Sequence, residues 1–67
     1  MNQTDAVLLH IKTIGPIDPL TAMRQYGIMR LAARVQDLRD SGMRIKTVMV
    51  YTDNGKKFAT YHQEDKP

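Results

Sequence analysis

GIMRLAARVQDLRDSG, residues 27–42, carries a glycine at each end and apolar residues at helical spacing between them: Ile28, Leu31, Ala32, Val35 and Leu38. At ~100° per residue these five lie on one stripe, which predicts an amphipathic helix with a definite buried face. The opposite stripe holds Arg30, Ala33, Arg34, Asp37 and Ser41. Two arginines, a small gap and an acceptor suit a DNA major groove, where arginine grips guanine O6 and N7. On this segment alone a solvated charged face on a core helix is the simpler reading. The flanking segments reverse that preference.

Upstream, Asp18 caps and Pro19 takes the first helical position, a strong start signal. Leu20, Ala22 and Met23 then give a short helix ending near Tyr26, and Gly27 supplies the positive φ of a sharp turn. Residues 18–42 therefore read as helix, tight turn, longer helix. Ala22 and Gly27 stand five apart, where repressor-type turns have four, so a looser turn is expected.

Downstream the period changes from helical to extended. Residues 45–52 (IKTVMVYT) are rich in β-branched residues, and residues 58–62 (FATYH) form a second short run. Asn54-Gly55 between them is the strongest short-range hairpin signal, because both central positions of a type I′ turn need positive φ. A two-residue loop pairs Tyr51 with Phe58, Val50 with Ala59 and Val48 with Tyr61. The face carrying Val48, Val50, Ala59 and Tyr61 is then the expected core face, with Thr47, Met49, Tyr51, Phe58 and Thr60 as the alternative. Residues 62–67 read as a polar tail that frays.

At the amino end, Thr4 is the expected N-cap with Asp5 in the first turn. Val7, Leu8, Ile11 and Ile14 form one stripe, and Gly15-Pro16 stops the helix. Leu9 lies off that stripe and is expected beneath the C-terminal strand, a small dimer contact being the other reading. His10 reads as a surface residue. Leu8, Ile11, Leu20, Leu31, Val35, Leu38 and Ile45 are expected in one core.

Three helices followed by a hairpin with lysines at its tip describe an α+β winged helix-turn-helix. The basic residues fit that geometry. Arg30 and Arg34 with Ala33 and Asp37 lie on the third helix, and Arg24 lies near the end of the second. Arg44 and Lys46 lie between helix and wing, and Lys56 and Lys57 flank Asn54-Gly55. Base contacts fall to the helix, and backbone or minor-groove contacts to the wing. Residues 24–57 hold eight basic residues against three acidic, within a formal net charge of +3, which suits a polyanionic partner. Arg39 falls on the core side, its stem covering the core edge and its guanidinium reaching carbonyls near the helix end. Asp37 is expected in an i,i+3 pair with Arg34, or on a cytosine amine.

At this point the chain resembles a family of small winged helix-turn-helix proteins encoded largely by bacteriophages and prophages. Their members carry G-x-I-x-P-x-x-A, then R-L-A-A-R-[IV]-x-x-L-R-x-x-G, then I-x-T and N-G-K. Here these stand at residues 15–22, 30–42, 45–47 and 54–56, and the likeness spans residues 7–61. Arg-Leu-Ala-Ala-Arg at 30–34 is its most specific part. The resemblance implies DNA binding, and roles within the family vary. Thr21 departs from the pattern, since relatives often carry a glutamate there that completes a capping box with position 18.

The remaining classes are narrowed by what the chain lacks. Its 67 residues make one expected domain, with an ordered core of about residues 4–62 and a tail at 63–67. There is no cysteine, hence no disulfide framework or thiolate metal site. No apolar run reaches the length of a membrane span or signal core, so a cytoplasmic protein without membrane contact is expected. His10 and His62 are far apart in sequence, Glu64 is the sole glutamate, and no phosphate-cradling glycine loop occurs. The expectation is a non-enzyme with no catalytic residue, metal or cofactor. Double-stranded DNA is the expected partner, bound by a transcriptional regulator or an excisionase-like architectural protein, with a homodimer on DNA as one form. The alternative is a winged-helix protein-binding module, such as a phage factor that occupies a host protein.

Overall fold

A computed structural model describes residues 2–64. Its elements in chain order are α1 (Gln3–Thr13), α2 (Pro19–Tyr26), α3 (Leu31–Asp40), β1 (Ile45–Tyr51) and β2 (Lys57–Gln63). The expected winged helix-turn-helix is therefore the architecture of the described residues. Residues 65–67 of the expected tail lie outside them, while His62 and Gln63, also expected in that tail, belong to β2.

The cap of α1 is Asn2 rather than Thr4: the Asn2 side chain accepts from the Asp5 N–H at 2.8 Å. Thr4 stands inside the helix and donates its hydroxyl to Asp37 of α3 at 3.3 Å. Val7 and Ile11 face the core, with Leu8 packed at its edge. Ile14 departs from the expected stripe and is 69% exposed. The helix ends at Thr13, and the Ile14 and Gly15 N–H groups share the His10 carbonyl at 2.8 and 3.0 Å. Gly15 then turns the chain at φ +137°, leaving Ile14 outside. Leu9 is likewise uncovered, at 49% exposed, so β2 does not lie over it.

His10 corrects the surface assignment: it is 4% exposed. Its Nδ1 lies 2.6 Å from the Tyr26 hydroxyl, and the two rings meet edge to face. A buried imidazole needs a polar partner, and one from another helix is invisible in local spacing.

Asp18 and Pro19 start α2 as expected. The Asp18 carboxylate accepts from the Thr21 N–H at 2.8 Å and from the Thr21 hydroxyl at 3.1 Å. That hydroxyl occupies the second carboxylate oxygen. Gly27 ends α2 at φ +67°, its N–H bonded to the Met23 carbonyl at 3.0 Å. Leu20, expected in the core, is 52% exposed; Ala22 is the buried residue of α2.

The helix expected over residues 27–42 is shorter at its start. Residues 27–30 form the turn, with Arg30 at φ −123° and ψ 65°, and α3 begins at Leu31. Ile28 is buried, but from the turn; Ala32, expected in the same stripe, is exposed. At the far end, Met43 N–H bonds to the Leu38 carbonyl and Gly42 N–H to the Arg39 carbonyl, both at 3.0 Å. That pair of bonds is a Schellman cap around Gly42, which points the chain into β1.

The hairpin register differs by one residue from the expected pairing. Val50 faces Phe58, Met49 faces Ala59, and Thr47 faces Tyr61. Asn54 does not take positive φ; only Gly55 does, at +82°. The loop therefore has three residues, closed by Gly55 N–H to Thr52 O at 3.1 Å and Thr52 N–H to Lys56 O at 2.7 Å. The physical reason is burial. A shift of one residue exchanges the faces of one strand relative to the other. Ile45 and Tyr61, the buried residues of the hairpin, share a face only in the observed register. That face also carries Met49 and Ala59, while Val48 and Val50 point to the other, correcting the expected core face.

Ile17, read as part of an extended link, makes a bridge: its N–H donates to Tyr61 O at 3.1 Å and Tyr61 N–H returns to Ile17 O at 2.8 Å. β2 thus lies between β1 and a one-residue third strand. Val7, Ile11, Ile17, Ala22, Ile28, Leu31, Val35, Leu38, Ile45 and Tyr61 form the core. Each buried Ile, Leu or Val contributes about 1.5–3 kcal/mol relative to its exposed state.

Candidate functional site

The orientation of α3 follows from its neighbours. Leu31, Val35 and Leu38 point into the core. On one flank, Arg34 Nη1 donates to Gln3 of α1 at 3.5 Å, and Arg34 Nε stands 3.1 Å from Asp37 Oδ2. That Nε is buried and makes no hydrogen bond, so its tie to Asp37 is one of charge. The i,i+3 pair expected for Asp37 is present, and it faces the start of α1. On the other flank, Arg39 donates through Nε and Nη2 to Ile45 O at 3.0 and 2.8 Å, and through Nη2 to Thr47 Oγ1 at 3.1 Å. Arg39 is thus a structural side chain as expected, although its carbonyl belongs to β1 rather than to the helix end.

Between these flanks lies the open sector of α3. Ala32, Gln36 and Asp40 are exposed there and spaced by four residues, so they stack along the helix. Gln36 Nε2 donates to Asp40 Oδ1 at 2.9 Å. Met29 and Arg30 are exposed in the turn just ahead of this sector. Arg30 precedes the helix and makes no side-chain cap bond.

The structure therefore divides the residues expected at the site. Arg30 is exposed at the entrance to α3, and Ala33 is half-buried in its first turn. Arg34 and Asp37 are brought together, but beside Gln3 and Thr4. Arg24 is exposed in the last turn of α2. Lys46, opposite His62, and Lys57, opposite Tyr51, are exposed on opposite faces of the hairpin. Asn54 and Lys56 surround Thr52, whose hydroxyl meets the Asn54 side chain and the Lys56 backbone. Gln36 and Ala32 were not expected at the site. Their signal becomes plain only when the helix is started at Leu31, and the flank covered by α1 is a tertiary fact.

Chemically, the open sector offers a carboxamide, a carboxylate, a methyl group and, at its entrance, a guanidinium. The ties of Arg39 to Ile45 and Thr47 join the last turn of α3 to the base of β1. The wing adds lysines and exposed apolar side chains, among them Tyr51 at 70% exposed. Among the described residues no group of histidine, cysteine, aspartate or glutamate is arranged to hold a metal ion. No helix there is long and apolar enough to cross a membrane.

A family model described as a winged helix-turn-helix domain matches residues 2–62. No curated protein and no solved structure matches the chain.

Proposed function

The chain belongs to the winged helix-turn-helix family, a membership that points to DNA binding in general, and on that premise we propose that it binds double-stranded DNA sequence-specifically as a small regulator of phage or prophage type. In this reading α3 enters the major groove with Arg30 leading, and the wing lies on the adjacent backbone or minor groove through Lys46, Asn54, Lys56 and Lys57. Arg24 meets a flanking phosphate. Ala33 lets the first turn approach closely, while Arg34 and Asp37 stand at the flank. The protein acts without catalysis or cofactor, in the cytoplasm, as a transcriptional regulator or as an excisionase-like architectural protein.

The observation that carries this reading is the clamp of Arg39 on Ile45 and Thr47. It joins the last turn of α3 to the base of a wing that bears exposed lysines. The start of α3 also lacks a side-chain cap, and Arg30 is exposed beside it.

Binding of the folded protein to random duplex across a salt series tests the proposal. Salt-labile binding is expected, and replacing Lys56 and Lys57 with alanine should lower the salt slope by about 2, roughly 1 per phosphate contact. Absence of binding at low salt would transfer the proposal to its second reading, a protein-binding module that occupies a host factor. Exposed Met49, Tyr51 and Phe58 on the wing favour that alternative.

A further inference from the structure

We infer that Gln36 is the base-reading side chain of α3, that it selects adenine, and that Asp40 is the positioning residue that aims its carboxamide. The inference rests on the DNA-binding reading above. It begins from elimination. Both arginines within α3 already have partners in the protein: Arg34 with Asp37 and Gln3, Arg39 with Ile45 and Thr47. Arg30 stands outside the helix. In the open sector, Gln36 is the long side chain that carries both donors and an acceptor, between Ala32 one turn before and Asp40 one turn after.

The bond to Asp40 settles how that carboxamide is turned. An ionised carboxylate only accepts, so it takes the Nε2 side of the amide and never the Oε1 side. One Nε2 hydrogen is used at 2.9 Å. With Asp40 taking the hydrogen anti to Oε1, the syn hydrogen and Oε1 remain as a coplanar donor–acceptor pair. That pair complements the N7 acceptor and N6 amine of adenine in the major groove. Fixing the rotamer beforehand also reduces the side-chain entropy lost on binding. Ala32 contributes a methyl group that suits the thymine methyl nearby. The charge of Asp40 repels phosphate, so the C-terminal end of α3 stays away from the backbone and the N-terminal half goes in first.

The experiment is selection from randomised duplexes with the full chain, its Gln36→Ala, Gln36→Arg, Asp40→Ala and Asp40→Asn variants, and thermal melts to establish folding. Wild type should enrich adenine at one position. Gln36→Ala should flatten that position by about tenfold and leave the others alone, and Gln36→Arg should move it toward guanine. Asp40→Ala should blur the adenine preference while strengthening binding to random duplex, since a repelling charge is gone. Asp40→Asn retains an acceptor, so it should keep the preference with the same gain in affinity. Enrichment by wild type that survives unchanged in Gln36→Ala would overturn the inference. So would binding without enrichment, which leaves the DNA-binding reading standing. Failure of the folded wild type to bind any duplex would remove both.

Discussion

Replacing Arg39 with alanine tests how the wing is held. The guanidinium donates twice to the Ile45 carbonyl, at 3.0 and 2.8 Å, and once to Thr47 Oγ1 at 3.1 Å. Hydrogen bonds to a charged group contribute about 1.5–3 kcal/mol net. Arg39 is half-buried, so water takes over part of the lost bonding, and the lower end, about 1.5–2 kcal/mol, is expected. For a domain of this size each kcal/mol moves Tm by about 4–8 °C, so the variant should melt about 6–16 °C lower. Arg39→Lys keeps the charge but not the fork, and should recover roughly half of the loss. Binding to random duplex separates the two roles of the side chain. If Arg39 acts through the wing, the lysine variant binds DNA more weakly than wild type despite equal charge. Thermal melts and fluorescence anisotropy over a salt series make both measurements. Melting of Arg39→Ala within about 2 °C of wild type would refute the clamp.

Tyr26→Phe removes the hydroxyl partner of buried His10 and should cost about 1–3 kcal/mol, read as a lower urea midpoint at unchanged slope. An unmoved midpoint would show that the imidazole finds another partner. Gly27→Ala should cost about 1–2 kcal/mol by thermal melting. A Cβ there meets nothing within 4 Å, so the cost lies in the φ of +67° alone, and Gly27→Asn should be milder. Arg34→Ala should change stability by no more than about 1 kcal/mol, because its pair with Asp37 is partly solvated. It should leave base preference in a duplex selection intact, whereas Arg30→Ala should weaken it. The reverse result would show that Arg34 leaves its pair with Asp37 to contact a base.

The signals that could be read from the sequence are those in which one residue type answers a local backbone demand. Asp18-Pro19 and Gly27 are of this kind, and they place the helix-turn-helix without reference to anything distant. Gly55 likewise announces a hairpin. The loop length was not legible, because Asn-Gly serves a two-residue turn or the end of a three-residue one equally well. Burial of Ile45 and Tyr61 on one face decided between them, and that depends on where α1 and α3 lie. His10 misled for the same reason: its partner Tyr26 is on another helix. At the candidate site, Arg34 drew attention as a charge at helical spacing, while Gln36 carries none. Only the placement of Gln3 and Thr4 against one flank of α3 shows which side chains remain open.

The bridge between Ile17 and Tyr61 has a kinetic meaning. It joins residues about forty apart in sequence, and closing a loop of that length carries a length-dependent entropy term of about 3 kcal/mol. The helices can form locally within microseconds, but this bond forms only after the last strand has docked. Helix-turn-helix and wing are therefore bound into one cooperative folding event. A fragment ending before β2 would lose the Tyr61 ring from the core and both bonds to Ile17. The short segment before α2 would then have no strand to pair with, and the turn that aims α3 would be attached to a support that has not yet formed.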